Sequence, residues 1–290
     1  MVVPVQEAFV QYQLPIGPAA PPGGAELPEL AGAPSRDAGR IERAGAPPRD
    51  AGPRLVLSRS ALERFIRCAR CFWLEKRRDV RPPAMVPMTL AVATDALLKN
   101  EFDQVRASGA RHPLWEREHL RVAAFAHPNL DDWRNNRRGI RALHAASDTE
   151  VYGSVDDLWR NLDDDSLHIV DYKSTSKQGE PSLNGGWGEQ YKRQIEIYQW
   201  LFEQNGFPVN HAAYFLYVNA SKSGTFFDPS LTGRMSFVAT LHVHAGSTGW
   251  VADAIAAAAA CARGDDLPAS GADCDNCRYY EQREGALRQA

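Results

Sequence analysis

Gly153-Ser-Val-Asp156-Asp-Leu-Trp159, then Leu167-His-Ile-Val-Asp171-Tyr-Lys173, is the stretch on which the fold turns. Leu167 to Lys173 reads as a strand. Side chains of a strand alternate between faces, so Asp171 and Lys173 leave one face together while Tyr172 points into the other. Val151 to Trp159 reads as a second strand. The short polar segment Asn161 to Asp165 between them suits a hairpin connection, which brings Asp156 alongside Asp171. Two carboxylates and one ammonium are therefore expected to converge.

Cleaving a phosphodiester needs neutralisation of the non-bridging oxygens, an activated water and help for the leaving oxygen, and a hard oxygen-bound cation supplies all three. Asp156 and Asp171 are the residue types that hold Mg²⁺ or Mn²⁺, with a carbonyl near Tyr172 as a further oxygen ligand. Lys173 is placed to orient the attacking water and stabilise charge in the transition state. Asp-x-Lys alone is also a common string of a solvated strand carrying an ordinary ion pair, so the case needs further blocks.

Glu189 to Asn205 supplies one. Tyr191, Ile195, Tyr198, Leu201 and Phe202 recur at helical spacing, and Gln194 stands one turn before Tyr198, so the two share a face. With these blocks in order, the chain resembles the PD-(D/E)XK nuclease superfamily and, within it, the RecB-like exonucleases, whose pattern is Gly-x-(Ile/Val)-Asp, Asp-x-Lys, Gln-x-x-x-Tyr. The resemblance implies an α/β fold with a restriction-endonuclease-like core, a mixed central sheet flanked by helices. It implies Asp156, Asp171 and Lys173 as catalytic residues, Gln194 and Tyr198 as helical site residues near DNA, and Mg²⁺ or Mn²⁺ as cofactor. Family members usually carry a histidine ligand on an upstream helix. The corresponding stretch, Leu90 to Asp103, has none, and Asp95 occupies the position as the expected third ligand. Glu101 and Asp103 read as that helix's solvated face.

Four of the five cysteines fall in two pairs, Cys68-x-x-Cys71 and Cys274-x-x-Cys277, flanking the nuclease blocks; Cys261 is left over. Two intervening residues let both thiolates of a pair reach one centre, and two pairs complete either a tetrahedral Zn²⁺ or a [4Fe–4S] cluster. Iron–sulfur members of the superfamily, including CRISPR-associated exonucleases and AddB-type helicase–nuclease subunits, bracket their core with cysteines, typically one N-terminal and three C-terminal. This chain is two plus two. The resemblance implies a [4Fe–4S] cluster joining the N- and C-terminal parts, with Zn²⁺ as the alternative.

The chain has 290 residues, 44% of them hydrophobic, enough for a sizeable core, and no apolar run long enough to cross a bilayer, so a soluble cytoplasmic protein without a signal peptide is expected. Residues 1–54, rich in Pro, Ala and Gly and holding the near-repeat Ala31–Gly39 against Ala44–Gly52, are expected to be disordered. The nuclease domain is expected over 55–283, with 284–290 as a tail. Its first helix reads as opening on a capping box, Ser60-Ala-Leu-Glu63, before an apolar face of Leu62, Phe65, Ile66, Ala69 and Trp73. The net charge of −3 gives no global attraction to phosphates. Local basic clusters at Arg54 to Arg81 and at Arg134, Arg137, Arg138 and Arg141 suit either a nucleic-acid backbone or a solvated helix. His211 to Asn219 and Met235 to Val243 read as strands, and Trp250 to Arg263 as a helix ended by Gly264. His242 and His244 read as a solvent-facing pair on an edge strand. Pro181 to Gly188 reads as a loop able to close over substrate. No phosphate-binding P-loop is present, so any helicase activity belongs to a partner. The expected function is a metal-dependent DNA exonuclease acting on single-stranded or free-ended DNA, with a non-catalytic DNA-end-binding or partner-docking protein as the rival reading.

Overall fold

The computed structural model describes residues 54–83 and 86–289; the segment expected to be disordered lies outside them apart from Arg54. The chain opens with β1 (Leu55–Ser58), α1 (Arg59–Arg67), α2 (Ala69–Arg78) and the long α3 (Thr89–Ser108). Short elements follow: α4 (Pro113–Arg117), β2 (Val122–Ala124), α5 (Leu130–Trp133), β3 (Ile140–His144) and β4 (Thr149–Gly153). Then come β5 (Asp157–Asn161), β6 (Leu167–Thr175), α6 (Gly188–Gln204), β7 (Ala212–Ala220), β8 (Phe237–Ala245), α7 (Val251–Arg263) and α8 (Asp275–Gln289). No helix of the described residues is long and apolar enough to cross a membrane.

Two sheets result: a five-stranded one in the order β2-β5-β6-β7-β8 and a three-stranded one in the order β1-β4-β3. Both are mixed, since β6 runs parallel to β7 and β1 parallel to β4 while the other pairs are antiparallel. The hairpin β5–β6 forms as expected. Its turn is closed by side chains, Asn161 Oδ1 accepting from the Asp163 amide at 2.9 Å and Asp164 Oδ1 from the Ser166 amide at 3.0 Å. The expected strand Val151 to Trp159, however, is broken at residues 154–156, and its halves belong to different sheets. Asp156 lies in that break, where the chain crosses from one sheet to the other.

β6 is buried without interruption from Leu167 to Tyr172, as a strand covered on both faces must be. One face packs Ile169 with Ile195, Leu201 and Phe202 of α6 and with Ile255 of α7. The other packs Val170 and Tyr172 with Phe102 of α3 and Trp115 of α4. α6 also contacts β3 and β4, so it sits between the sheets and holds both.

Three local expectations change. Helix α1 is capped by Ser58, whose hydroxyl accepts from the Ala61 amide at 3.1 Å; Glu63 is buried and paired with Arg193 instead of closing a box with Ser60. The helix also does not run through the cysteines: Cys68 is extended (φ −160°) and its sulfur caps α2. Ile66 is exposed, and in α2, beyond the break, Phe72 is buried beside the expected Trp73. At the C-terminal end, α8 continues through the expected tail to Gln289.

Candidate active site and cysteine centre

Asp171 and Lys173 leave the same face of β6, toward α6, as alternation requires, and form an ion pair. Asp171 is 1% exposed. Asp156 joins them from the sheet crossing: its Oδ2 accepts from the backbone amide of Tyr172 at 2.9 Å, which fixes it to the strand carrying the other two. From α6, Gln194 Nε2 donates to Asp171 Oδ1 at 2.8 Å and to the Tyr198 hydroxyl at 3.2 Å. Five of the six residues expected at this centre therefore meet. The glycine of Gly-x-Val-Asp has a steric reason: a Cβ at Gly153 would lie 2.5 Å from Cε1 of Tyr198.

Asp95 is the exception. Its carboxylate accepts from Lys99, one turn along α3, at 2.8 Å, and Lys99 Nζ lies 3.4 Å from Asp156 Oδ1. Asp95 thus reaches the other carboxylates only through an intervening ammonium, because the i,i+4 neighbour claims it first. Among the described residues, the four cysteines are the only group of three or more potential ligand atoms gathered for a metal.

Charge governs the surroundings of Asp171. Burial raises the Asp171 carboxyl, Lys173 pulls it back and the neighbouring Asp156 raises it again, which together leave it at about 6. Burial works against charged Lys173, yet Asp171 and Asp156 outweigh it and raise its pKa. Lys99 is likewise raised, with Asp156 and Asp95 overcoming burial. Two crowded aspartates compensated by two ammonium groups form a hard-oxygen donor set that a divalent cation fits. Arg59, at the start of α1, also acts here, its charge favouring ionised Asp171 and Tyr198.

Lys99 and Arg59 were not read from the sequence, and neither was the support beneath Asp156. Asp157 is fully buried and accepts from Arg106, from Arg134 Nη2 at 2.9 Å and from the Tyr172 hydroxyl at 2.8 Å. Arg134 Nε also donates to the Asp156 carbonyl at 2.9 Å, and its Nη1 to Asp103 Oδ1 at 2.8 Å. Arg134 is accordingly a buried anchor and not part of a surface basic patch. Arg138 and Arg141 are paired with Asp132 and Glu150. Asp103 belongs to the same network, so it is not a purely solvated residue. The expected solvent-facing histidines are half-buried: His244 contacts Glu196 at 2.8 Å, and His242 packs edge-on to Tyr217.

The cysteine pairs converge from opposite ends of the domain. Sγ of Cys68 lies 3.7 Å from that of Cys277, and Sγ of Cys71 lies 3.5 Å from Cys274 and 3.6 Å from Cys277. All four sulfurs lie within 4.8 Å of one another. Burial raises the Cys68 thiol, but amide donors from Gly271 and Cys71, at 3.2 and 3.4 Å, together with neighbouring thiols, bring it down to about 7. Burial raises Cys277 to about 11. Four converging sulfurs, with amide donors that favour the thiolate at Cys68, make a donor set for a soft or borderline metal. Cys261 stands outside, its sulfur 3.9 Å from the Ala69 carbonyl.

One strand of a mixed sheet thus presents Asp171 and Lys173, the crossing between the sheets adds Asp156, and α6 supplies Gln194 beside them. A family profile described as the PD-(D/E)XK nuclease superfamily matches residues 56–282, and the chain belongs to that superfamily, with cysteines bracketing its core. Comparison with curated protein sequences found no match.

Proposed function

We propose that this protein is a Mg²⁺- or Mn²⁺-dependent exonuclease acting on single-stranded or free-ended DNA, with Asp156, Asp171 and Lys173 at its catalytic core. The observation that carries the reading is their convergence: Lys173 pairs with Asp171, and Asp156 is pinned to the amide between them. A divalent ion held by Asp156 and Asp171 would neutralise the phosphate, activate a water and assist the leaving oxygen. Lys173 is held protonated by both carboxylates, so it acts as a fixed positive charge toward a phosphate oxygen and not as a proton acceptor. Gln194 orients Asp171 and ties it to Tyr198. Asp95 serves chiefly to hold Lys99 against Asp156. The requirement for a free end rests on the three-block resemblance to RecB-like exonucleases.

For the cysteine centre, sulfur spacing favours a single Zn²⁺ over a [4Fe–4S] cluster. Zn–S bonds of about 2.3 Å in a tetrahedron put neighbouring sulfurs about 3.8 Å apart. The contacts of 3.5 to 3.7 Å fit that edge, whereas a cubane inserted between the thiolates must spread them further. Metal analysis should give one zinc per chain and a colourless protein; a brown protein containing iron would reverse this assignment.

The activity test is incubation of end-labelled single-stranded DNA and of closed circular DNA with Mg²⁺, Mn²⁺ or EDTA. Shortening of the linear strand only with metal, and its loss in Asp171→Asn and Lys173→Met with unchanged circular dichroism, is expected. Cleavage surviving in both variants would overturn the catalytic assignment. A bound but uncut strand would favour the non-catalytic reading, and cutting of the circle an endonuclease.

A further inference from the structure

The first turn of α6 carries an aromatic ring that the fold leaves uncovered. Trp187, its N-cap, is 56% exposed, while the other tryptophans are buried or half-buried. The Arg67 guanidinium stands over this ring, 5.7 Å from its centroid, and its Nη1 reaches Gln190 Oε1 at 3.5 Å. Neighbouring Arg64, Arg70 and Arg77 are each matched by a carboxylate: Glu75, Glu281 and Asp265. Arg67 has no such partner among the described residues, so its charge is available. Its backbone is also firmly placed, directly before Cys68 and against Gly271, where a Cβ would come within 2.1 Å of the Arg67 carbonyl.

Trp187, Tyr191 and Gln194 follow one stripe of α6 that leads to the candidate active site. Tyr191, one turn along α6, carries the Lys173 ammonium 4.6 Å from its ring centroid, and Gln194 follows with its bond to Asp171. At about 1.5 Å per residue, Trp187 and Gln194 stand roughly 10 Å apart along the helix. A flat apolar ring beside an unneutralised guanidinium, at that distance from a phosphodiester-binding centre, matches a nucleobase and its phosphate.

We propose that Trp187 and Arg67 form a stacking platform for an unpaired nucleotide of the strand entering the active site. The inference rests on the nuclease reading and narrows its substrate to single strands. Bases inside a duplex are stacked on both faces and cannot use the ring, and an end pair offers only its outer face while tied to the opposite strand, so the platform selects unpaired strand, and Arg67 meets the adjoining phosphate.

The test is fluorescence anisotropy with fluorescein-labelled oligothymidylate and with a blunt duplex, in buffer free of Mg²⁺ and Mn²⁺. Trp187→Ala should weaken oligothymidylate binding about tenfold, Trp187→Phe should recover most of it, and duplex binding should change less than about twofold. Undiminished oligothymidylate binding by Trp187→Ala, equal weakening for both probes, or no binding of oligothymidylate by the unsubstituted protein would each overturn the platform. Should the binding pattern hold while the unsubstituted protein cuts nothing with either metal, the nuclease reading fails and the platform stands. Should it cut while Trp187→Ala binds undiminished, the platform fails alone.

Discussion

Replacing Asp157 with asparagine withdraws one negative charge from beneath the active site without changing the side chain's shape. Asp157 is fully buried, and the guanidinium groups it holds, those of Arg106 and Arg134, have side chains only 10% and 8% exposed. After the substitution both must share Asp103, which is 46% exposed and partly satisfied by water. Breaking a buried ion pair on one side costs about 3–5 kcal/mol. For a domain of this size, where 1 kcal/mol moves Tm by about 2–4 °C, the expected drop is about 6–20 °C. Function should suffer as well, since Arg134 also holds the Asp156 carbonyl and Tyr172 holds both aspartates. Loss of such supporting contacts lowers metal affinity or activity by about 10–100-fold. Thermal unfolding by circular dichroism and the Mg²⁺ dependence of cleavage measure the two effects. The triple replacement Asp157→Leu, Arg106→Met, Arg134→Leu should recover much of the Tm without recovering Mg²⁺ affinity, because apolar groups restore packing and not the hold on Asp156. A Tm change below about 2 °C in Asp157→Asn would refute the idea that this network anchors the site.

Gly153→Ala places a methyl group against the Tyr198 ring and should cost about 1–3 kcal/mol while slowing cleavage; normal Tm and rate would contradict the close approach. Asp171 binds its proton up to about pH 6 in the metal-free fold, against 3.8 unfolded, so its stabilising effect is fully present below pH 3.8 and is lost as pH rises through 6. Mg²⁺ competes with that proton, so cleavage at limiting Mg²⁺ should fall below pH 6 and recover with more metal, whereas a pH profile unmoved by metal concentration would exclude Asp171 as the competing group. Cys68→Ala or Cys277→Ala should release the bound metal and lower Tm, while Cys261→Ala should retain the metal; elemental analysis and thermal scans distinguish these outcomes.

What the sequence made legible followed from period and order. Alternation in Val170-Asp-Tyr-Lys put Asp171 and Lys173 on one face, a turn's spacing put Gln194 and Tyr198 on one helix face, and paired cysteines announced a common centre. What escaped were charges whose partners lie far along the chain. Asp157 looks like one more residue of a strand until Arg106 and Arg134 arrive from 51 and 23 residues away. Arg134 resembled a surface cation for the same reason: a local run of arginines carries no sign of where its counterions fold. Lys99 could have been found, since it stands one turn from Asp95 and so competes for the carboxylate that was expected to bind metal. The break at Asp156 left no trace in the sequence pattern, because the alternation of buried Val151, Gly153 and Val155 with half-buried Tyr152, Ser154 and Asp156 runs straight through it.

The cysteine clasp has a consequence for how the protein comes into being. Cys71 and Cys274 are 203 residues apart, so an ion held by both would remove about 5 kcal/mol of chain entropy from the unfolded state and stabilise the folded domain accordingly. A ribosome exposes every acidic group of the cleft well before Cys274 and Cys277 emerge. A nascent or prematurely terminated chain therefore carries both aspartates and the lysine on an unlatched frame, and a metal held by the four thiolates would fasten it only once both cysteine pairs are in place.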